Sequence, residues 1–423
     1  MPTRRLRSVG RVRLTVPRFR WRPFGGVLGP AKTDAGQSLA ALAFSAFTSV
    51  VAGLTLASQE DQFVALPGLL LFIPPAIGLR GNVFGPLGSR LSTNIQMGTF
   101  SWTWKVDSVL GQNLVAVLIN SLLASLGISV LAELLALFLG DEGVPPIGFS
   151  DFVVAGVLGG IVASIVVLGF TLALTFAAVR LDLDLDNVVA PMVTAAGDLI
   201  TLPALVLSLV LVRRGNTTLI TATVLTIVTL ALTLWLVRSG LQIARRIVAE
   251  SLPVLLAAGS LSLIAGIAIE SAEERLSWVM LVLLPGYLGT AGALGGILAN
   301  RLSTKVHLGI VQFNLWPGAE ARSDMAFTAA LAAPIFALLA LVAEVVAQAA
   351  AQGTPGLLLL LAVAMTGGLA STLFVLAIAY YGTLASVRFG LDPDNIGIPL
   401  VTAALDVVGA LSLVAAVVVW RVA

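Results

Sequence analysis

Residues 180–198 read RLDLDLDNVVAPMVTAAGD, and residues 388–406 read RFGLDPDNIGIPLVTAALD. At an offset of 208 the two agree at eleven of 19 positions: Arg180, Leu183, Asp184, Asp186, Asn187, Pro191, Val193, Thr194, Ala195, Ala196 and Asp198 return as Arg388, Leu391, Asp392, Asp394, Asn395, Pro399, Val401, Thr402, Ala403, Ala404 and Asp406. A second block recurs at an offset of 211. There Pro74, Gly78, Gly81, Gly85, Leu87, Arg90, Leu91, Ser92, Thr93 and Gly98 reappear as Pro285, Gly289, Gly292, Gly296, Leu298, Arg301, Leu302, Ser303, Thr304 and Gly309, ten of 25 positions. Glu133 and Glu344, also 211 apart, fit the same register, and the sequence places both mid-way along a helix. The chain is a tandem duplication.

Composition says what has been duplicated. Of the 423 residues, 58% are hydrophobic and 11% charged, and the mean hydropathy is +1.02. An average soluble domain is roughly 25% charged, so an ordinary soluble protein is excluded. Apolar runs long enough to cross about 30 Å of hydrocarbon occur near 35–58, 64–79, 112–139, 152–179, 190–212, 218–237, 251–270, 277–299, 325–350, 356–386 and 397–420. The fold class is therefore an all-α polytopic membrane protein with about eleven spans; a β-barrel would alternate instead. Five spans fall in each half, an odd number, so directly joined copies would insert upside down relative to each other. The run at 218–237 returns the chain across the bilayer, so that both halves point the same way about an axis along the membrane normal. The expected division is a basic tail at 1–34, a first membrane domain at 35–214, a linker helix at 215–240 and a second membrane domain at 241–423.

Arg4, Arg5, Arg7, Arg11, Arg13, Arg18, Arg20 and Arg22 all precede the first apolar run. A juxtamembrane basic segment on anionic lipid explains them better than nucleic-acid binding, and it sets the amino terminus in the cytoplasm. Arg90, Lys105, Arg180, Arg238, Arg245, Arg246, Arg301, Lys305, Arg322 and Arg388 then fall on the same side, with Arg213 and Arg214 opposed. With eleven spans the carboxyl terminus is expected outside a cell membrane.

The absence of cysteine and the single histidine exclude disulfides, iron–sulfur clusters and a cysteine nucleophile, and leave oxygen as the ligand for any metal. Oxygen ligation suits hard ions such as Mg²⁺. Asn187, Pro191, Thr194 and Asp198 lie at i, i+4, i+7 and i+11, so they share one helix face, as do Asn395, Pro399, Thr402 and Asp406. A carboxylate inside a bilayer costs on the order of 2.5 to 3.5 kcal/mol to insert. Two readings stand: each aspartate hydrogen-bonds a neighbouring helix as glue, or the pair lines a shared ion path. The duplication, with its aligned Asn and Thr, favours the path.

Asp182, Asp184 and Asp186, with Asp392 and Asp394, stand at the cytoplasmic entrance of these helices. They read either as helix caps or as an acidic mouth that concentrates divalent cations. Gly78 to Pro86, matched by Gly289 to Gly296, reads either as a bent or broken helix whose carbonyls face a pore or as close packing through small residues. Gly81, Gly292, Asn82, Glu133 and Glu344 are accordingly pore or coupling positions. Arg90 and Arg301 are expected to hold the intracellular ends in place.

By these residues the chain resembles the MgtE family of magnesium channels and transporters, and within it the eukaryotic magnesium solute carriers that join two MgtE-type domains in one chain. Their Gly-x-x-Gly-Asn turn leading to Ser-Arg-Leu-Ser-Thr resembles Gly78 to Thr93, and their Asp-Pro-Asp-Asn, Pro, Asp pattern resembles Asp184 to Asp198. The resemblance covers about 35 to 423. It implies that Asp198 and Asp406 hold hydrated Mg²⁺ at the two-fold axis, with carbonyls near Thr194 and Thr402 at the same point. Two departures stand out: only a basic tail precedes the first helix, in place of soluble sensor domains, and Asn82 is matched by Ala293.

The resulting expectation is a monomeric pseudo-dimer in the lipid bilayer that passes a divalent cation, with Mg²⁺ as cargo, no cofactor and no nucleic-acid partner. The alternatives are a Na⁺- or H⁺-coupled exchanger, a carrier of a small organic solute and, more remotely, an intramembrane aspartyl protease. Such proteases show Gly-x-Gly-Asp and Tyr-Asp contexts. Here the contexts are Ala196-Gly197-Asp198 and Ala404-Leu405-Asp406.

Overall fold

The computed structural model describes residues 29–59, 66, 68–96, 103–139, 148–181, 185–272, 276–307, 314–389 and 398–422. Eleven helices among these residues are long and apolar enough to cross a bilayer. They are α1 (Gly29–Ala57), α2 (Leu69–Gln96), α3 (Val109–Leu139), α4, α5 (Leu185–Leu209), α6 (Asn216–Arg238), α7 (Gln242–Glu270), α8 (Trp278–His307), α9 (Ala319–Ala349), α10 (Leu357–Arg388) and α11 (Ile398–Trp420). Helix α4 runs Phe149–Val153, takes one π-helical turn at Val154–Leu158 and continues over Gly159–Leu181. The described residues contain no strand. The protein is an all-helical polytopic membrane protein. The arginines of the basic tail up to residue 28 lie outside the described residues.

Helix α2 decides between the two readings of Gly78 to Pro86 in favour of close packing. The glycines and proline of Gly78 to Pro86 do not break it; the helix continues through them to Gln96, with Pro74, Pro75 and Pro86 inside. Helix α8 likewise runs unbroken through Gly289, Gly292, Gly295 and Gly296. A proline withholds one i to i−4 hydrogen bond, but the surrounding bundle holds both helices. Of their most apolar stretches, 89% and 94% of residues are buried, against 17% for α6. The glycines serve instead to admit neighbours. Helix α7 also starts earlier than residue 251, because Gln242 to Glu250, charged and polar enough to resemble a loop, are good helix formers.

The two halves interlock. Helix α1 packs on α5 of its own half and on α8 of the other, and α7 packs on α11 of its own half and on α2 of the other. Helices α2 and α8 complete the pattern against α5 and α11, so each of these contacts has its counterpart in the other half. In a bilayer, helix association rests on van der Waals contact and hydrogen bonds, and small residues let backbones approach. Gly53 and Gly266 are those residues. A Cβ on Gly53 would lie 2.9 Å from the Cα of Val282 and closer still to its carbonyl, and a Cβ on Gly266 would meet Leu71 in the same way.

Threonines along α6 are satisfied within their own helix. On α6 the hydroxyls of Thr221, Thr223, Thr226, Thr229 and Thr233 each donate to the carbonyl four residues earlier, at 2.8 Å, as hydrocarbon requires.

Arg80 is the one buried cation among the described residues of the first half. It sits near the middle of α2, is 1% exposed and cannot lose its charge. Its guanidinium donates to Ser121 and, at 2.8 Å each, to Ser164 and Ser125, while Nε has no partner among the described residues. Gly160 leaves room for it, since a Cβ there would lie 2.7 Å from Nη2. The second half has Ala291, Ala332 and Phe336 at the matching positions of Arg80, Ser121 and Ser125. The same interior is polar in one copy and aromatic in the other.

Gly53→Val and Gly266→Val are each expected to cost about 1 to 3 kcal/mol through overpacking, read as a lower unfolding temperature in detergent, whereas Gly36→Ala, with nothing within 4 Å, should not destabilise. Ser125→Ala strips an acceptor from a buried guanidinium and should cost about 1 to 3 kcal/mol. In an Arg80→Leu background the same change should cost less, and a double-mutant cycle measures that coupling.

Candidate functional site

Asp198 lies half-way along α5, the only acidic side chain on the inner part of that helix, and is 1% exposed. Its Oδ2 accepts the hydroxyl of Ser49 on α1 at 2.7 Å. Asp406, on α11, accepts the hydroxyl of Ser262 on α7, also at 2.7 Å. Each carboxylate is covered by a glycine from the opposite half. A Cβ on Gly289 of α8 would lie 2.7 Å from Asp198 Oδ2 and 3.4 Å from Ser49 Oγ; one on Gly78 of α2 would lie 3.1 Å from Asp406 Oδ2 and 3.6 Å from Ser262 Oγ. Neither glycine can carry a side chain without pushing into a carboxylate.

The two aspartates border a single cavity of about 40 Å³, together with Gly81, Asn82, Thr194, Gly292 and Thr402. The Thr402 hydroxyl lies 2.7 Å from Asn82 Oδ1 and 3.0 Å from the Pro399 carbonyl, so Asn82 bridges α2 of the first half to α11 of the second. On the matching side, where Ala293 stands in place of Asn82, Thr194 packs against Gly81, whose Cβ would lie 3.1 Å from Thr194 Oγ1. The cavity is lined by carboxylate, hydroxyl and amide oxygens, with aliphatic walls at Ile77 and Leu288. At roughly 30 Å³ per water, it has room for a water or two. Among the described residues no third carboxylate or histidine joins the pair to make a cluster of three.

Other residues named from the sequence are distributed as follows. Asp186 and Asn187 lie in the first turn of α5, while Asp184, Asp392, Asp394 and Asn395 lie outside the described residues. Glu133 and Glu344 are not mid-way along their helices, as the sequence suggested, but within the last two turns of α3 and α9. Glu133 is hydrogen-bonded to the backbone of Phe149 at the start of α4. Glu344 Oε1 accepts from Gln348 Nε2 at 2.8 Å and Thr354 Oγ1 at 3.0 Å, just before α10. Each glutamate ties its helix to the connection that follows, and neither lines the cavity. Arg90 Nε donates to Asn113 Oδ1 at 3.1 Å, and Arg301 Nε to Asp324 Oδ1 at 3.1 Å. Asn113 and Asp324 are themselves 211 apart, so this is one duplicated tether, with an amide as acceptor in the first half. In the second it is ionic, with Lys305 Nζ 2.7 Å from Asp324 Oδ2 and Arg301 stacked 4.4 Å over the Phe327 ring.

Sequence reasoning missed the two serines. Their signal was available: Ser49-Val50-Val51-Ala52-Gly53 returns as Ser262-Leu263-Ile264-Ala265-Gly266 at an offset of 213. A serine one turn before each close-packing glycine faces the same interface.

Comparison with known proteins gives the family. The family model for MgtE, described as "Divalent cation transporter", matches residues 73–208 and again 284–416, together more than half of the chain. Solute carrier family 41 member 3 of Mus musculus is 26% identical over 253 residues, 58% of this chain and 51% of that protein. Solute carrier family 41 member 2 is 28% identical in Xenopus laevis, over 64% of this chain and 49% of the relative, and 28% identical in Homo sapiens, over 64% and 48%. The chain thus spans about half the length of the curated relatives it matches. No solved structure matches it. With two family matches and eleven membrane-spanning helices, the chain belongs to the MgtE family of divalent cation transporters.

Proposed function

We propose that the protein passes a divalent cation, Mg²⁺ first among them, along a path between its two halves, with Asp198 and Asp406 as the charged ligands. The observation that carries this reading is that the two carboxylates, one from each half, border the same cavity. A divalent ion there would be neutralised by the pair, and hydroxyl and amide oxygens from Thr194, Thr402 and Asn82 suit a hard ion. Mg²⁺ takes about six oxygen ligands and releases water reluctantly. A cavity of about 40 Å³ is too small for the fully hydrated ion, so passage requires the lining helices to separate. The Asn82 to Thr402 hydrogen bond is a contact that such a motion would break.

In this reading the chain is a pseudo-dimer within one monomer, its halves 35–214 and 241–423 parallel and joined by α6, with the basic amino terminus in the cytoplasm. Asp184, Asp186, Asp392 and Asp394 form an acidic entrance, and Asn187 and Asn395 extend the path towards it. Asp198 and Asp406 act as ligands without catalytic chemistry.

The test is Mg²⁺ entry into liposomes that contain the purified protein, followed with an enclosed Mg²⁺-sensitive dye. Asp198→Asn and Asp406→Asn should each lower the initial rate at least tenfold, and the double variant should be silent; full flux through the double variant would remove the aspartates from the path. Flux driven by a Mg²⁺ gradient alone identifies a conductive pathway, whereas flux that appears only with an opposing Na⁺ or H⁺ gradient identifies an exchanger.

A further inference from the structure

A second cavity, far larger than the first, opens between α6 and α7. Its volume is about 630 Å³, within the range of pockets that enclose small molecules. Thr233, Leu236 and Val237 from the last turns of α6 form one wall, and Ala249, Leu252 and Pro253 from α7 form the other, with Leu123 of α3 at the back. Beneath it, Leu236, Leu241, Ala244, Ile247 and Val248 pack with Ala116 and Ile119 of α3 in a small core of their own. Gln112 of α3 holds the first turn of α7 by accepting the backbone N–H groups of Ile243 and Ala244, at 2.9 and 3.3 Å. Leu236 seats the end of α6 on the same small core as the first turns of α7.

Its mouth is basic. Gln242, Arg245 and Arg246 from the first turns of α7 line it, and Arg238 ends α6 beside them in sequence. Glu250 pairs with Arg246 at 2.7 Å, while Arg238 and Arg245 face no carboxylate within ion-pair distance among the described residues. The 29 residues of α7 extend for roughly 43 Å at 1.5 Å per residue, longer than about 30 Å of hydrocarbon, and Arg245, Arg246 and Glu250 make its first turns an end suited to headgroup depth. Trp235, 47% exposed on α6, stands near the same end, where tryptophan favours the interface.

We propose that this wedge is a binding site for a phospholipid with an anionic headgroup, its acyl chain lying between α6 and α7 and its phosphate held by Arg245 and Arg246. An apolar wedge at hydrocarbon depth takes a chain, and surplus arginine at the rim selects the headgroup's charge. A neutral lipid fits the wedge but gains nothing from the rim. The lipid would tie α6, which otherwise faces the membrane, to α7, the helix whose Ser262 meets Asp406.

The full-length protein, delipidated in detergent, is titrated with phosphatidylglycerol and with phosphatidylcholine of identical acyl chains, and retained lipid is counted by native mass spectrometry. Phosphatidylglycerol should be held severalfold more tightly. Arg245→Gln and Arg246→Gln together should reduce that preference by about fivefold for each charge lost, and the paired Lys variants should keep most of it. Ala249→Trp, which fills the wedge, should release one tightly held lipid of either kind. Equal retention of the two lipids, a preference that survives the Gln variants, or a lipid count unchanged by Ala249→Trp would each overturn the proposal. Unfolding temperature, measured in parallel, confirms that each variant is folded.

Discussion

Two glycines set how closely the halves of this protein can approach. Gly53 lets α1 lie on the backbone of α8, and Gly266 lets α7 lie on that of α2. Ser49 and Ser262 stand one turn before those glycines, so the same approach that joins the halves presents a hydroxyl to each buried carboxylate. On the partner helices, Gly289 lies seven residues after Val282 and Gly78 seven after Leu71, on the same face, and these glycines cover the carboxylates. A bilayer core offers no water to compensate a carboxylate that misses its donor. Site and interface therefore depend on one geometry.

Duplication has preserved that geometry while the surroundings diverged. The tether from the second helix to the third is arginine to asparagine in the first half and arginine to aspartate, reinforced by lysine, in the second. Arg80 and its serines occupy a region that is alanine and phenylalanine in the other half. A buried guanidinium deprived of its acceptors is costly, and the three serines that serve Arg80 have no equivalent need in the half that lacks the arginine. At the cavity the same asymmetry appears as Asn82 facing Thr402 without an equivalent for Thr194. The path proposed for the cation thus has unlike sides, although its two charged groups are matched.

The least apolar spans are the most buried. Helices α2 and α8 carry the prolines, glycines and polar residues of the duplicated motif, and neighbours surround them almost completely. Between its ends, helix α6 has threonines as its only hydrogen-bonding side chains apart from Trp235; Thr221, Thr223, Thr226, Thr229 and Thr233 each close onto their own backbone, and only 17% of its most apolar stretch is buried. This reverses the order of a soluble protein, because lipid is as apolar as leucine and polar groups must find each other.

Class, span number, duplication and family were all legible in the sequence, because long apolar runs and a repeat near 210 residues are properties of the chain itself. The shared face of Thr194 with Asp198 and of Thr402 with Asp406 followed from helical periodicity alone. Periodicity could not say whether Gly78 to Pro86 interrupts a helix, since that depends on the neighbours that hold it, and here they keep it continuous. Nor could it place Glu133 and Glu344, which sit near helix ends tied to the next connection. That Ser49 serves Asp198 across 149 residues, and that α1 and α7 cross to the opposite half, was decided only by packing. A sequence records which face of a helix is polar, but the partner of that face is chosen by which backbones can come close enough to share it.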